Sequence, residues 1–234
     1  DASWKPVVIV DGPPALNSQR EEPVKLFEEF VPNKTKKINS ASWVFDMGQN
    51  ASGIPQIKVR GKKGDTIRIF PAELLKQDGS ANQRSSGSPY YLQYILKGEG
   101  IETWQPRFTY YGFRYLQING AVPKVENNSA QLPVLLEVKT LHNRNAANQI
   151  GNFTCSNDLF NKTYSLIDWA IKSNMMSVFT DCPHREKLGW LEQLHLMGSS
   201  VHYGYDAINL FKKQVDDMKF SQTTNGLIPE IAPE

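Results

Sequence analysis

The chain has 234 residues, enough for one large domain or two ordinary ones, each able to bury a core. It is 40% hydrophobic and 21% charged, with 26 Lys and Arg against 24 Asp and Glu, the balance of a globular protein with a net charge of only +2. Its basic residues are interspersed with acids, so no nucleic-acid partner is expected, and no apolar run nears the ~20 residues that span a bilayer.

The first residues, DASWKPVVIVDGPP, lack the basic, apolar and small-residue zones of a signal peptide, so any export signal is expected to have been removed or never to have existed. The following segments read as β structure. Trp43, Phe45 and Met47 alternate onto one face, Ile57 and Val59 alternate with Lys58 and Arg60, and Ile67 and Ile69 alternate with Thr66 and Arg68. Between the last two runs, Lys62-Lys63-Gly64-Asp65 has the chemistry of a tight turn and predicts a hairpin. Further strands are predicted at 90–97, 108–118 and 134–139. Short strands with regular turn signals and no helical period point to an antiparallel, jelly-roll-like β-sandwich.

Beyond about Leu141 the period changes. Ser156 is a suitable N-cap, and Leu159, Phe160, Thr163, Leu166, Ile167, Ala170 and Ile171 recur at helical spacing, predicting a helix over 157–175. Two more helical patterns run from about Leu188 to Tyr203 and from Ala207 to Phe220. The expected division is a β-sandwich domain over 1–148 and an all-α segment over 149–234. Three helices with broad apolar faces, running into the coil-like 226–229, do not complete a helical domain, so the chain is expected to be part of a longer one.

The densest chemistry lies in TDCPHREKLGWLEQLH at 180–195. With a helix starting near Glu186, Glu186 and Trp190 fall at i,i+4 on one side. An indole face offers apolar area to a pyranose ring and lowers local polarity, which favours the protonated form of a nearby carboxyl. Arg185 can hold hydroxyls or fix Asp181 through a bidentate pair. The alternative is structural: acids at a helix start complement the macrodipole, and a tryptophan one turn on is ordinary core. Cys182, His184 and His195 do not have the spacing of a metal site, and a Cys182–His184 nucleophile has no third group to orient it. The aromatic run 108–115 is open to two readings as well, a sugar-stacking strand or one packing a core on one face and an interface on the other.

The stretch TDCPHREKLGW resembles the DCPQR…ER-LGW signature of the α-L-rhamnosidases, glycoside hydrolase family 78. VFDMGQNASGIPQIKVRGKKGDTIRIFPAELL at 44–75 and WQPRFTYYGFRYLQINGA at 104–121 are similar to sandwich segments of the same family, and the likeness runs in order from about Trp4 onward. The resemblance implies a sandwich followed by the beginning of an (α/α)6 barrel, and inverting hydrolysis of terminal α-L-rhamnose from plant polysaccharides or glycosides. It implies Glu186 as the general acid, Asp181 and Arg185 as residues that bind rhamnose or organise the acid, Trp190 as the sugar-stacking ring, and no cofactor or metal. Gln193 stands where the family has an aspartate, with Glu192 one residue early; a one-residue helical shift turns a side chain by about 100°. The general base is expected in a later barrel segment, Glu230 and Glu234 being candidates by residue type only. The remainder of the catalytic domain is then expected to pack on 149–234, and the enzyme to be periplasmic or secreted. A carbohydrate-binding or structural module without catalysis is the alternative function.

Overall fold

A computed structural model describes residues 4–13, 16–86 and 89–233. The chain forms β1 (Val24–Phe30), β2 (Lys34–Asn39), β3 (Ser42–Arg60), β4 (Thr66–Ala72), the short pair β5 (Leu74–Leu75) and β6 (Ala81–Asn82), β7 (Leu92–Ile95), β8 (Ile101–Trp104), β9 (Tyr111–Asn119), β10 (Val122–Pro123) and β11 (Val134–Asn145). Three helices follow, α1 (Asp158–Asn174), α2 (Leu191–Gly204) and α3 (Ile208–Phe220). The main sheet runs β1-β11-β3-β9-β4-β7, with β2 and β8 also on β3. Its described pairings are antiparallel apart from the two-residue β10–β11 contact, and the sheet curls into the expected sandwich.

The 19-residue β3 makes the curl possible. Its first part pairs with β2 and β9, Trp43 lying opposite Lys37 and Ile118, and its last part with β8 and β11, Val59 lying opposite Glu102 and Leu135. Between the two, the register with β9 slips from Asp46 to Ala51, and Gly48 takes the left-handed φ of 82° that the bulge requires. Asp46 braces the bulge by accepting Gly48 N–H at 2.8 Å and both Arg114 Nε and Nη2 at 2.8 and 2.9 Å. The Arg114 guanidinium holds the Asp46 carboxyl below its ordinary pKa. Phe113, Leu116 and Ile118 are all buried, a set that strict alternation would split between faces; the slip lies between them.

The alternating residues occupy the places expected of them. Trp43, Phe45, Met47, Ile57, Val59, Ile67 and Ile69 join the core, while Lys58, Arg60, Thr66 and Arg68 are exposed. The predicted hairpin is not formed. The 62–65 turn closes with Asp65 N–H on Lys62 O at 3.1 Å, but Gly64 N–H and Leu96 O then join at 2.9 Å, and β4 pairs with β7 and β9 instead of β3. The predicted strand at 108–118 starts only at Tyr111, since Phe108 has φ 57° and is fully exposed. The 134–139 strand extends to Asn145, and β1, β2 and β8 were not apparent from patterning.

The helices lie close to their expected spans. The α1 cap is Asn157, not Ser156; its side chain accepts Leu159 N–H at 3.0 Å. Ile171, Met175, Phe179, Val201, Tyr205 and Leu210 form a second core, but Leu159, Phe160 and Leu166 of α1 face outward, as do Leu196, Val215 and Phe220. No described helix is long and apolar enough to cross a membrane.

A buried polar node joins α1 to the sheet. Ser52 N–H donates to Ser173 Oγ at 3.2 Å, Ser52 Oγ donates to Asn143 O at 2.8 Å, and His142 Nδ1 donates to Ser52 O at 2.7 Å. The His142 ring meets Trp169 edge-on at 5.3 Å, with Glu28, Arg144 and Lys172 as its charged neighbours. Burial pushes the imidazole down to about 4. An unfolded histidine takes up its proton near pH 6.5, so between the two values the unfolded state binds more protons and stability falls as the pH is lowered. The loss is expected to reach ~3 kcal/mol. Urea midpoints should therefore drop from about pH 6.5 toward about pH 4, and less steeply in His142→Gln; equal slopes in the two proteins would mean that another group carries the effect.

Candidate active site

The 180–190 stretch is a closed loop, not the start of a helix. Asp181 N–H donates to Leu188 O at 3.2 Å and Leu188 N–H returns to Asp181 Oδ1 at 3.1 Å, tying its two ends. Inside it, Glu186 N–H points at Cys182 Sγ at 3.4 Å, rounding a turn that Pro183 helps to set. Helix α2 begins only at Leu191, with Trp190 in the cap position. The i,i+4 helical geometry therefore does not exist. Glu186 and Trp190 meet because the loop folds back, and the backbone accomplishes this with Lys187 at φ 57°. For a residue with a Cβ that region costs on the order of 1–3 kcal/mol and persists only where neighbours hold it.

Both Glu186 oxygens accept hydrogen bonds: Oε2 from the Trp190 indole Nε1–H at 3.0 Å, and Oε1 from Arg185 Nη2 at 2.5 Å. The acid thus meets the edge of the indole and not its face. Arg185 pairs with Glu186 and not with Asp181, whose carboxylate is taken up by the Leu188 amide. Glu192, in the first turn of α2, is exposed and accepts from Gln193 Nε2 at 3.4 Å; among the described residues no hydrogen bond or ion pair joins it to Glu186. Arg185, Glu186 and Trp190 are therefore brought together, Asp181 closes the loop behind them, and Glu192 stands apart. Of the two downstream glutamates, Glu230 accepts Leu191 N–H through its carbonyl oxygen at 2.9 Å, and Glu234 lies outside the described residues. No cluster of His, Cys, Asp and Glu suited to a metal ion occurs among the described residues.

The β-sandwich holds this loop. Gly112 N–H donates to Pro183 O at 2.7 Å, and a Cβ on Gly112 would lie 2.5 Å from Pro183 Cγ, so only glycine allows the approach. Lys187 Nζ donates to Tyr110 O at 2.5 Å and sits 4.7 and 3.9 Å from the Tyr110 and Tyr111 ring centroids. Tyr111 is itself stacked on Tyr90 at 4.4 Å. The Tyr110 phenol is buried beside Thr180, and burial pushes it up to about 12. Desolvation lowers the pKa of the Lys187 ammonium from its ordinary value. His184 Nδ1 lies 3.5 Å from Glu73 Oε2. Of the aromatic run, Phe113 serves the core, Tyr110 and Tyr111 serve the loop, and Phe108 is exposed. The docking partners Lys187, Gly112 and Glu73 went unrecognised as site residues from sequence; the glycine inside an aromatic strand was the available signal.

Two family models match the chain: the bacterial α-L-rhamnosidase concanavalin-like domain over residues 36–136, and the bacterial α-L-rhamnosidase 6 hairpin glycosidase domain over 148–234. An α-L-rhamnosidase of Formosa agariphila is 32% identical over 210 residues, 87% of this chain and 21% of that protein. One of Streptomyces avermitilis is 31% identical over 239 residues, all of this chain and 22% of that protein. Among solved structures, the α-L-rhamnosidase from Dictyoglumus thermophilum superposes with a TM-score of 0.84 at 35% identity, over 92% of this chain and 24% of that one. The Streptomyces avermitilis α-L-rhamnosidase complexed with L-rhamnose gives 0.84 at 30%, over 93% and 20%. The chain thus spans about a fifth to a quarter of the length of these relatives.

Replacing Gly112 with alanine drives a methyl into Pro183 and is expected to cost ~1–3 kcal/mol of stability. Chemical denaturation checks this, and an unchanged midpoint would mean that the loop shifts freely on the strand.

Proposed function

We propose that this chain, which belongs to the family of the α-L-rhamnosidases, carries the acid half of a site that releases terminal α-L-rhamnose from glycans or glycosides, plant polysaccharides among them. The reading rests on the partly buried Glu186 carboxyl, held between the Trp190 indole N–H at 3.0 Å and Arg185 at 2.5 Å. In the proposed reaction Glu186 gives its proton to the glycosidic oxygen as the C–O bond breaks. A second carboxylate takes a proton from water on the other face of the sugar, and that water adds to the anomeric carbon with inversion. The two carboxyl groups stand roughly 6.5–9.5 Å apart so that the water fits between them. Both proton transfers are made by side chains, so the scheme calls for no cofactor.

Both Glu186 oxygens are occupied here, by Arg185 and by Trp190, and the acid needs one of them turned to the glycosidic oxygen. Arg185, with 53% of its side chain exposed, is therefore assigned a second position on the sugar hydroxyls. Trp190 keeps the other Glu186 oxygen in place and offers its ring to the sugar, Asp181 fixes the loop, and Glu192 is assigned to outlying hydroxyls. The base is assigned to a part of the relatives' length that this chain does not span. The same reading divides the chain into a sandwich over 1–148 and the first helices of an (α/α)6 barrel over 149–234. Support for further helices comes from Leu159, Phe160, Leu166, Leu196, Val215 and Phe220, apolar side chains that stand in solvent here. A polysaccharide substrate is too large to enter a cell, which argues for a periplasmic or secreted enzyme.

In the full-length protein that carries these residues, Glu186→Gln is expected to lower turnover of rhamnosides with poor leaving groups by about 10²–10⁴-fold. Rates like those of the parent protein would remove Glu186 from the acid role.

A further inference from the structure

We propose that Lys187 is a positioning residue for the acid: the sandwich captures its ammonium between Tyr110 and Tyr111, and this capture keeps the preceding residue, Glu186, turned toward Trp190. The proposal rests on Glu186 being the acid.

Three observations converge on it. Lys187 has a left-handed backbone, φ 57°, at the step where the loop turns Glu186 back toward the indole. Its ammonium is held by one carbonyl, Tyr110 O at 2.5 Å, and by two ring faces, the nearer being Tyr111 at 3.9 Å. Among the described residues no carboxylate pairs with it; its charge meets two π faces and a carbonyl dipole, with the Cys182 side chain as a further electrostatic neighbour. The cage is itself braced, since Tyr111 stacks on Tyr90 with the ring planes 18° apart.

A leucine or methionine would fill the same space without desolvating a charge. What the cation adds is direction: attraction to two ring faces and a carbonyl fixes where the side chain ends, and its fixed end holds the unfavourable φ of its own backbone. Release would let that φ relax toward the common regions and turn the Glu186 side chain away. The acid's alignment is thus shared between the β-sandwich, through Lys187, and the cap of α2, through Trp190.

The test uses the full-length protein and two substrates, an alkyl rhamnoside whose leaving group needs protonation and a dinitrophenyl rhamnoside whose leaving group does not. Lys187→Met should lower kcat on the alkyl substrate about 10–100-fold, with KM changed less than about threefold and the dinitrophenyl substrate little affected. Lys187→Arg, which keeps a cation and a donor, should restore most of the loss. Should Lys187→Met not fold, Lys187→Gln carries the same comparison. Equal losses on both substrates, or a loss confined to KM, would overturn the proposal in favour of a purely structural role. Glu186→Gln is run alongside: if it is inactive on the alkyl substrate while Lys187→Met is not, only the positioning role fails; if it is active, the acid assignment itself fails.

Discussion

The structure depends on one strand being paired along both edges with different partners at its two ends. β3 cannot satisfy β2 and β9 at its beginning and β8 and β11 at its end without bending, and it bends where the Asp46–Arg114 pair closes around Gly48. A bidentate, charge-assisted pair suits that place, because a bulge leaves ladder groups unpaired and needs a rigid brace. The pair lies next to the end of β9 that faces the loop. Arg114 is two residues from Gly112, whose amide leaves the sheet to bind Pro183, and Tyr111 and Tyr110 follow directly. The curl of the sheet and the seat of the acidic loop are thus consequences of the same bend.

Alternation was legible wherever one face of a strand is buried and the other solvated, as at Ile57/Val59 and Ile67/Ile69. It failed at β1 and β2. Lys34, Lys36 and Lys37 line an outer strand that meets β3 through its backbone ladder and through Lys37 over the Trp43 ring, so the sequence carries no apolar period there. Pairing partners were less legible than strands. The 62–65 turn has hairpin chemistry, yet which neighbour β4 takes is decided by β9, some fifty residues away, and nothing local encodes it.

The proximity of Glu186 and Trp190 was legible in the sequence, and its geometry was misread. Spacing brought Glu186 and Trp190 together on the assumption of a helix; they are neighbours across a turn, and they touch through the indole N–H. Pro183 was the sign that the helix would start later. Lys187 was invisible because a left-handed φ and a pair of ring faces are properties of the fold around a residue, and a lysine between an acid and an apolar run looks like any solvated one. The helices were read correctly as elements, but their apolar spacing could not say which side is covered: only Ile171 of the α1 stripe is buried here.

The contact between Gly112 and Pro183 bears on how such enzymes can be recombined. A chimera joined between β11 and α1 would look natural, because the strands end at Asn145 and the helices begin at Asp158. Such a junction would separate Gly112, Tyr110 and Tyr111 from the loop they seat, and any donor sandwich with a side chain at the glycine position would collide with the transplanted proline. The heritable unit is the strand with its loop, and a graft has to carry both.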